Sequence, residues 1–532
     1  MSFNNVIIKD WRKIDLSFGL IYPNIFRIGM SSYSIRLLYS FINSFENIAC
    51  ERIFLPEIKI TFPASKDYSQ MNLIRSIENR VQPIDFDILG FSLHFENDLK
   101  NILWLLEKAN IPLTFSERQV AGEKIKDIPL IIGGGPVITS NPIPLSKFFD
   151  IFFIGDSEPN LELFFEVFLE FKNNQSSYSE FLENVGRIEG IFIPSLGNKV
   201  RRAVLKNLSK SPNPTFQLIS KIQAEKKIFG ENFFVEINRG CPYQCKFCIS
   251  SFHNSPFRNR NYEDIINIIE NGIKNSSFNV ISLLGSCVSS HPKFKQICEY
   301  IIKTGKRLTL PSIRIEHLNN EIIQILEKGN IKTITLAPET GSETLRYALG
   351  KMISNDKIFS ILTHIRESEI KNVKLYFLIG LPNETYENIH EIIRFLKNII
   401  NLGFEKNTLK ININPFIPKL NTPFEKEVDY YYEKNKRDLI KKYQLLEKEL
   451  RHLTPIKLKI TNFKMLIKNA RLQTMISLGD EKISHLLLNY YFNGATFSAL
   501  QKSEKEMGFI LDEYLSKIRN CYNPWNVFLE KN

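Results

Sequence analysis

Long apolar runs are missing from this chain. None approaches the roughly 18 consecutive residues that cross a bilayer, and the densest, residues 148–155, is broken by Asp150. No membrane span is therefore expected. The first residues lack a basic patch followed by an apolar core, so nothing there predicts export, and the expected location is cytoplasmic. Cysteine is sparse, seven in 532 residues, and an odd count without an export signal argues against a disulfide framework. Neither sign of charge dominates. Lys and Arg number 69 against 57 Asp and Glu, a net charge of +12 that permits an anionic partner and equally suits solubility.

What is present is ample core material, with 43% hydrophobic and 12% aromatic residues, which excludes extensive disorder. At a prior of about 150 residues per domain the length predicts three or so domains.

Three of the seven cysteines, Cys241, Cys245 and Cys248, are spaced C-x3-C-x2-C behind an apolar run at 233–237 that reads as a strand. Thiolates are the usual protein ligands of iron–sulfur clusters, and a four-iron cubane normally takes four of them, so three close cysteines leave one iron open. Pro242 stiffens the turn and Gly240 permits close backbone approach. Cys50, Cys287, Cys298 and Cys521 are scattered and read as buried small hydrophobes. His253, five residues after Cys248, leaves a structural Cys3His zinc site as an alternative.

The order Cys241-x3-Cys245-x-Phe247-Cys248 resembles the signature of the radical S-adenosylmethionine superfamily, including the aromatic before the last cysteine. That resemblance implies a 4Fe-4S cluster whose open iron chelates S-adenosylmethionine. It implies reductive cleavage to a 5′-deoxyadenosyl radical and an external electron donor of flavodoxin or ferredoxin type. Tyr243 and Phe247 are expected to shield the cluster by packing.

Residues 1–170 alternate short apolar strands (16–22, 87–92, 129–135, 151–155) with helices (31–43, 97–109), the pattern of a doubly wound parallel sheet. Ligands of such sheets bind at the carboxyl ends of strands, where Ser92, Gly133 and Gly134 fall. In this order they resemble the amino-terminal cobalamin-binding domain of a large branch of the superfamily, with Ser92 to His94 as its Ser-x-Leu element, histidine replacing leucine, and Gly133 with Gly134 as its Gly-Gly element. The Asp-x-His-x-x-Gly motif that supplies a histidine to cobalt is absent. Two alternatives follow: cobalamin held without a histidine ligand, or the fold kept without the corrinoid.

Residues 171–230 read as a connector, with a strand entering a hairpin at 190–199 and a Pro/Ser linker at 209–214. From 231 to 425 six strand–helix units, with strands at 280–285, 307–314, 333–337, 373–380 and 409–415 after the one before the cysteines, predict a partial (β/α)6 barrel with its chemistry on the loops after the strands. By resemblance, Gly285 and Ser286 are the glycine-rich element that meets the methionyl amino group, Arg314 meets a carboxylate, Glu339 contacts amino or ribose groups, and Gly380 with Pro382 lies near adenine. Read as ordinary structure, Arg314 is a surface ion pair, Glu339 a helix cap and Pro382 a strand end.

Residues 426–532 are expected to be basic and mainly helical, with helices at 430–451, 483–492 and 509–518 and a strand at 455–460. Lys434, Lys436, Arg437, Lys441, Lys442, Lys448, Arg451, Lys457, Lys459, Lys464, Lys468 and Arg471 could track phosphates, although solvated helix faces are the commoner cause of such a run. The second cysteine triad and RNA-binding barrel of the tRNA methylthiotransferases are absent, which weighs against RNA modification. The leading expectation is hydrogen abstraction from a bound substrate, with methyl transfer to an unactivated carbon if cobalamin is present. An RNA-modifying enzyme and a zinc-stabilised binding protein are the alternatives.

Overall fold

The computed structural model describes residues 3–4, 6–64, 74–121, 128–173, 176–215, 217, 219–220, 232–405, 407–431, 433–453, 456–458, 463–520 and 523–529. Pro455, Lys459 and Cys521 lie outside the described residues.

The amino-terminal half is built on a six-stranded sheet. Its strands are β1 (Leu16–Ile25), β2 (Ile48–Leu55), β3 (Ile88–Ser92), β4 (Leu130–Gly134), β5 (Ile151–Phe153) and β6 (Ile191–Phe192), in spatial order β2-β1-β3-β4-β5-β6. The first five are parallel and β6 pairs antiparallel with β5. Helices α1 (Tyr33–Asn43) and α2 (Leu99–Lys108) follow β1 and β3. The strands are buried along almost their whole length, as the near-continuous apolar runs require of a sheet covered on both faces.

β2 was not readable as a strand because Glu51 and Arg52 interrupt its apolar run. Both charges are buried and answered: Arg52 pairs with Glu78 at 2.5 Å, and Glu51 accepts from Trp11 Nε1 at 2.7 Å and Asn79 Nδ2 at 2.6 Å. The stretch read as a connector contributes α3 (Leu161–Lys172, its last turn), α4 (Tyr178–Gly186) and β6 to this half. The strand read at 190–199 is only Ile191–Phe192. Asn198 ends it, its Oδ1 accepting from Ile193 N at 2.8 Å and its Nδ2 donating to Ile191 O at 2.9 Å.

The second half is a partial barrel of parallel strands. β7 (Asn232–Glu236), β8 (Val280–Leu284) and β9 (Arg307–Thr309) form one sheet in the order β9-β8-β7. β10 (Thr333–Glu339), β11 (Asn372–Ile379), β12 (Leu409–Pro415) and β13 (Ile456–Leu458) form the other. Intervening helices include α5 (Tyr262–Asn275), α6 (Phe294–Lys303), α7 (Asn320–Lys328), α8 (Glu343–Ala348), α9 (Asn355–Glu367) and α10 (Tyr386–Asn401). β9 stops short of the expected 307–314 because Pro311 has no N–H to give; Ile313 N then bonds Thr335 O at 3.2 Å, touching the neighbouring sheet at β10.

The carboxyl-terminal region comprises α11 (Glu433–Leu450), β13, α12 (Phe463–Leu478), α13 (Glu481–Phe492), α14 (Phe497–Glu506) and α15 (Leu511–Arg519). It serves both halves. β13 extends the barrel beside β12, while α12 to α15 share one apolar core with α2 and the loops after β4. Trp525 is fully buried against Phe192, ring centroids 5.0 Å apart, next to β6. Asn141 Nδ2 donates to Gly479 O at 2.9 Å and Ser484 Oγ to Pro144 O at 2.8 Å, which seats these helices on the first domain.

Candidate functional site

The sheet reverses direction of travel between β1 and β3, and ligands of open α/β sheets bind at that switch point, beyond the carboxyl ends of the strands. A cavity of about 640 Å³ opens there, within the roughly 300–1,000 Å³ of ordinary ligand sites. One wall is the first domain's: Ser34 at the start of α1, Ser92 at the end of β3 with His94 beyond it, Gly134 at the end of β4, Glu158 after β5. The other belongs to the barrel, with Asn238, Arg239, Ile249, Leu284, Gly285 and Ser286. Ser92, Gly133, Gly134, Gly285 and Ser286, read from two separate stretches of sequence, thus line one space.

Within it, Ser34 Oγ and Ser92 Oγ lie 3.0 and 3.1 Å from His94 Nε2. Burial pushes the His94 imidazole down to about 4, so the ring is neutral near pH 7. The two glycines that end β4 differ. A Cβ on Gly133 would press on Phe149 and Phe152 at 3.0 and 3.1 Å, a packing requirement. One on Gly134 would meet only Phe153 Cβ at 3.7 Å, so Gly134 is the one that leaves open room.

The cysteine loop follows β7 directly. A two-residue strand, Asn238–Arg239, pairs antiparallel with Arg258–Asn259. Gly240 then turns at φ +82, where a Cβ would stand 2.4 Å from Asn254 O. Lys246 N donates to Leu349 O at 3.0 Å and Phe424 N to Lys246 O at 3.3 Å, so the ends of α8 and of the loop after β12 hold the cysteine loop from outside. Cys245 is buried, while Cys241 and Cys248 are half-buried.

Two cations surround the thiols. Arg314 lies with its guanidinium 3.5 Å over the Tyr243 ring, its Nη1 3.7 Å from Cys245 Sγ, and pairs with Glu316. Lys351 donates to Glu339 Oε1 at 2.5 Å and Ala337 O at 2.8 Å. Burial pushes the Cys245 thiol up, and Lys351 and Arg314 oppose it by favouring the thiolate. The Arg314 Nε is buried without a partner, as is Asn238 Oδ1. Three soft donors flanked by two fixed positive charges fit an anionic thiolate-bound cluster.

Glu339 closes β10 with a left-handed backbone, φ +66, a conformation that costs a glutamate of order 1–3 kcal/mol and persists where function or surroundings demand it. It does not act as a helix cap: Ser342 does, with its Oγ accepting from Leu345 N. Gly380 and Pro382 do not line the cavity. Gly380 N donates to Glu384 Oε1 at 2.9 Å, and a Cβ there would meet Leu439 of α11 at 3.0 Å. Glu384 pairs with Lys442 in nearly complete burial.

Several residues escaped the sequence reading. Arg239 donates to Asp156 Oδ1 at 2.7 Å, Glu158 Oε1 at 2.9 Å and Glu236 Oε2 at 2.8 Å, and Arg258 reaches Asp156 Oδ2 at 2.6 Å. This buried network joins the loop after β5 to the cysteine loop, and its only sequence signal is a set of charges at strand ends. Cys287, read as a buried space-filler, is buried, and its Sγ lies 3.0 Å from Ser290 Oγ. Cys50 and Cys298 are buried among apolar neighbours as read. His253 ends the short helix Ile249–His253, and burial pushes its imidazole down to about 3. Among the described residues no three His, Cys, Asp or Glu side chains close on a position for one metal ion.

The fold and this site define a two-domain α/β protein with a thiol-rich loop at the carboxyl edge of a partial barrel. Comparison with known proteins gives that class its family. The model for radical SAM proteins, N-terminal, matches residues 34–194, and that for the radical SAM superfamily matches residues 235–396. An uncharacterized protein of Methanocaldococcus jannaschii is 28% identical over 94% of this chain and 96% of its own length. A tRNA-2-methylthio-N(6)-dimethylallyladenosine synthase of Staphylococcus haemolyticus is 27% identical, but over 30% of this chain and 33% of the synthase. Among solved structures, the radical S-adenosylmethionine methyltransferase TsrM from Kitasatospora setae superposes with a TM-score of 0.53 at 12% identity, covering 77% of this chain and 75% of TsrM. The cobalamin-dependent S-adenosylmethionine radical enzyme OxsB gives 0.53 at 14% identity, covering 95% and 72%. The chain belongs to the radical S-adenosylmethionine superfamily, whose members use a 4Fe-4S cluster and S-adenosylmethionine. Among the described residues no helix is long and apolar enough to cross a membrane.

Proposed function

We propose that this protein binds its cluster through Cys241, Cys245 and Cys248 and abstracts hydrogen from a substrate held in the cavity between its two domains. The observation that carries this reading is the cavity of about 640 Å³ that runs from the tips of β3, β4 and β5 to the edge of the cysteine loop. When bound, the cluster supplies the single electron that splits S-adenosylmethionine, and a flavodoxin- or ferredoxin-type protein replaces it. Gly285 and Ser286 would offer backbone groups to the methionyl end, with Arg314 for its carboxylate and Glu339 for its amino or ribose groups. Gly380 and Pro382, which do not line the cavity, are assigned to the adenine side.

The same cavity suits a corrinoid, which Ser92, Gly133 and Gly134 would help to hold. Ser34, Ser92 and neutral His94 supply polar contacts there, and the open room beside Gly134 admits a close approach. With cobalamin, methyl transfer to an unactivated carbon is the favoured outcome; radical rearrangement or ring contraction is the other within this class. The likeness to the methylthiotransferase keeps RNA modification as a second reading. Against it, two cations of the basic stretch point inward: Lys442 pairs with buried Glu384, and Arg471 with Glu504 at 3.0 Å.

The test is anaerobic incubation of the reconstituted protein with S-adenosylmethionine and reductant, measuring 5′-deoxyadenosine. Wild type should form it and Cys245→Ala should not. A corrinoid absorbance retained after gel filtration distinguishes the cobalamin-dependent reading, and an RNA affinity that falls steeply with salt would favour the second.

A further inference from the structure

Arg314 and His317 flank one short turn, closed by His317 N donating to Arg314 O at 3.1 Å, and between them they grip Tyr243 at its face and at its tip. The guanidinium lies 3.5 Å over the ring, and the phenol oxygen lies 2.5 Å from His317 Nε2. The other imidazole nitrogen, Nδ1, is 2.8 Å from Ser289 Oγ in the turn Val288–Ser290 that follows β8. Tyr243 itself stands in the cysteine loop, between Cys241 and Cys245. Segments that follow β7, β8 and β9 thus meet in one run of contacts, from Ser289 through His317, Tyr243 and Arg314 to Cys245 Sγ, 3.7 Å from Arg314 Nη1.

Each link in that run has its own physical part. Burial, with the charge of Arg314, pushes the His317 imidazole below its usual value, so the ring is neutral near pH 7. A neutral ring carries one proton, so it accepts at one nitrogen and donates at the other, tying the phenol to Ser289. Glu316 pairs with one end of the guanidinium, and the Arg314 Nε is buried without a partner. Much of the placing of that charge therefore falls to the aromatic face beneath it.

We propose that His317 is a positioning residue for electron transfer: by fixing the hydroxyl of Tyr243 it holds the Arg314 charge against Cys245, and so raises the reduction potential of the cluster. This rests on the cluster reading above. The step served is one-electron reduction by the flavodoxin- or ferredoxin-type donor, with no bond made or broken along the run of contacts. Tyr243, whose ring alone would suffice for shielding, thereby has a use for its hydroxyl.

The test uses full-length protein reconstituted anaerobically as wild type, Tyr243→Phe, His317→Phe, Arg314→Met and the double variant His317→Phe with Arg314→Met. The readouts are iron and sulfide per chain and the reduction potential from a titration followed by electron paramagnetic resonance. Tyr243→Phe and His317→Phe should each lower the potential, by no more than Arg314→Met does. The double variant should match Arg314→Met alone, because effects that pass through one charge do not add. Potentials equal to wild type in the single variants, or shifts that add in the double one, overturn the proposal. If His317→Phe loses its cluster, Tyr243→Phe decides, since it deletes one oxygen and keeps the ring under Arg314. Loss of the cluster there too would show that the hydroxyl holds the loop together and places no charge, which also overturns it. Wild type without a four-iron cluster overturns the cluster reading itself, and is told apart by the iron analysis alone.

Discussion

Arg239 Nη1 donates to Asp156 Oδ1 at 2.7 Å, and that contact ties the two domains together two residues before the first cysteine. Asp156 belongs to the loop after β5 and Arg239 to the strand that launches the cysteine loop, so the position of the thiols relative to the first domain depends on this pair. Glu158 and Glu236 share the same guanidinium, and Arg258 takes the other oxygen of Asp156. A buried ion network contributes less to net stability than its contact count suggests, but removing one partner is costly because the others are left desolvated.

Replacing Arg239 with methionine should therefore destabilise the protein by roughly 3–5 kcal/mol, the range for breaking one side of a buried pair. Arg258 still serves Asp156, so the lower end is expected. Urea denaturation would read it, with iron per chain after reconstitution falling in parallel. An unchanged midpoint would mean that the two domains are positioned by other contacts.

Arg314 should tune the cluster's electron affinity. Reduction adds negative charge next to Cys245, and the guanidinium 3.7 Å from that sulfur stabilises the reduced state. Arg314→Met should shift the reduction potential downward in a titration followed by electron paramagnetic resonance, with the fold intact by circular dichroism. A potential that stays put would reduce Arg314 to a partner of Glu316 and Tyr243.

Two adjacent glycines should respond oppositely. Gly135 sits at φ +102, and a Cβ there would stand 2.7 Å from Leu93 O, so Gly135→Ala should cost about 1–2 kcal/mol or more. Gly134→Ala meets nothing closer than 3.7 Å and should leave the denaturation midpoint within about 0.5 kcal/mol. Its effect should appear instead as weaker corrinoid retention. Equal stability losses at both positions would contradict the open room assigned to Gly134.

Acid should weaken the first domain through His94. Burial holds its folded-state value at about 4, below the roughly 6.5 of an unfolded chain, so the unfolded state binds more protons between those values. The His94 contribution is fully present above about pH 6.5 and is lost as pH falls toward 4, on the order of 2–3 kcal/mol in all. Denaturation midpoints at pH 7 and pH 5 should differ less in His94→Gln than in wild type. An identical pH slope in the two proteins would show that His94 is charged or exposed in solution.

The alternation of strands and helices was legible because strands of the first sheet such as β3 are buried on both faces and read as apolar runs, while β11 and β12 of the barrel alternate buried and part-exposed residues. It failed at β2, where Glu51 and Arg52 are neutralised by Trp11, Asn79 and Glu78, partners tens of residues away in the chain. The cysteine loop was legible because its donors are local. The placing of Cys287 O 2.8 Å from Asn238 Nδ2 was not, since it spans 49 residues and follows from the side-by-side pairing of β7 and β8, with Glu236 opposite Leu284. The basic carboxyl-terminal stretch misled for the same reason: the sequence counts Lys442 and Arg471 as surface charges, while the fold turns them toward Glu384 and Glu504.

The helices α12 to α15 and the strand β13 fasten the first domain and the barrel to each other, yet they are translated after both. A nascent chain stalled ahead of α12 would carry the two walls of the cavity without the clasp that fixes their spacing. A bulky cofactor that is slow to enter the finished molecule would then find its easiest passage during synthesis, before the clasp is made.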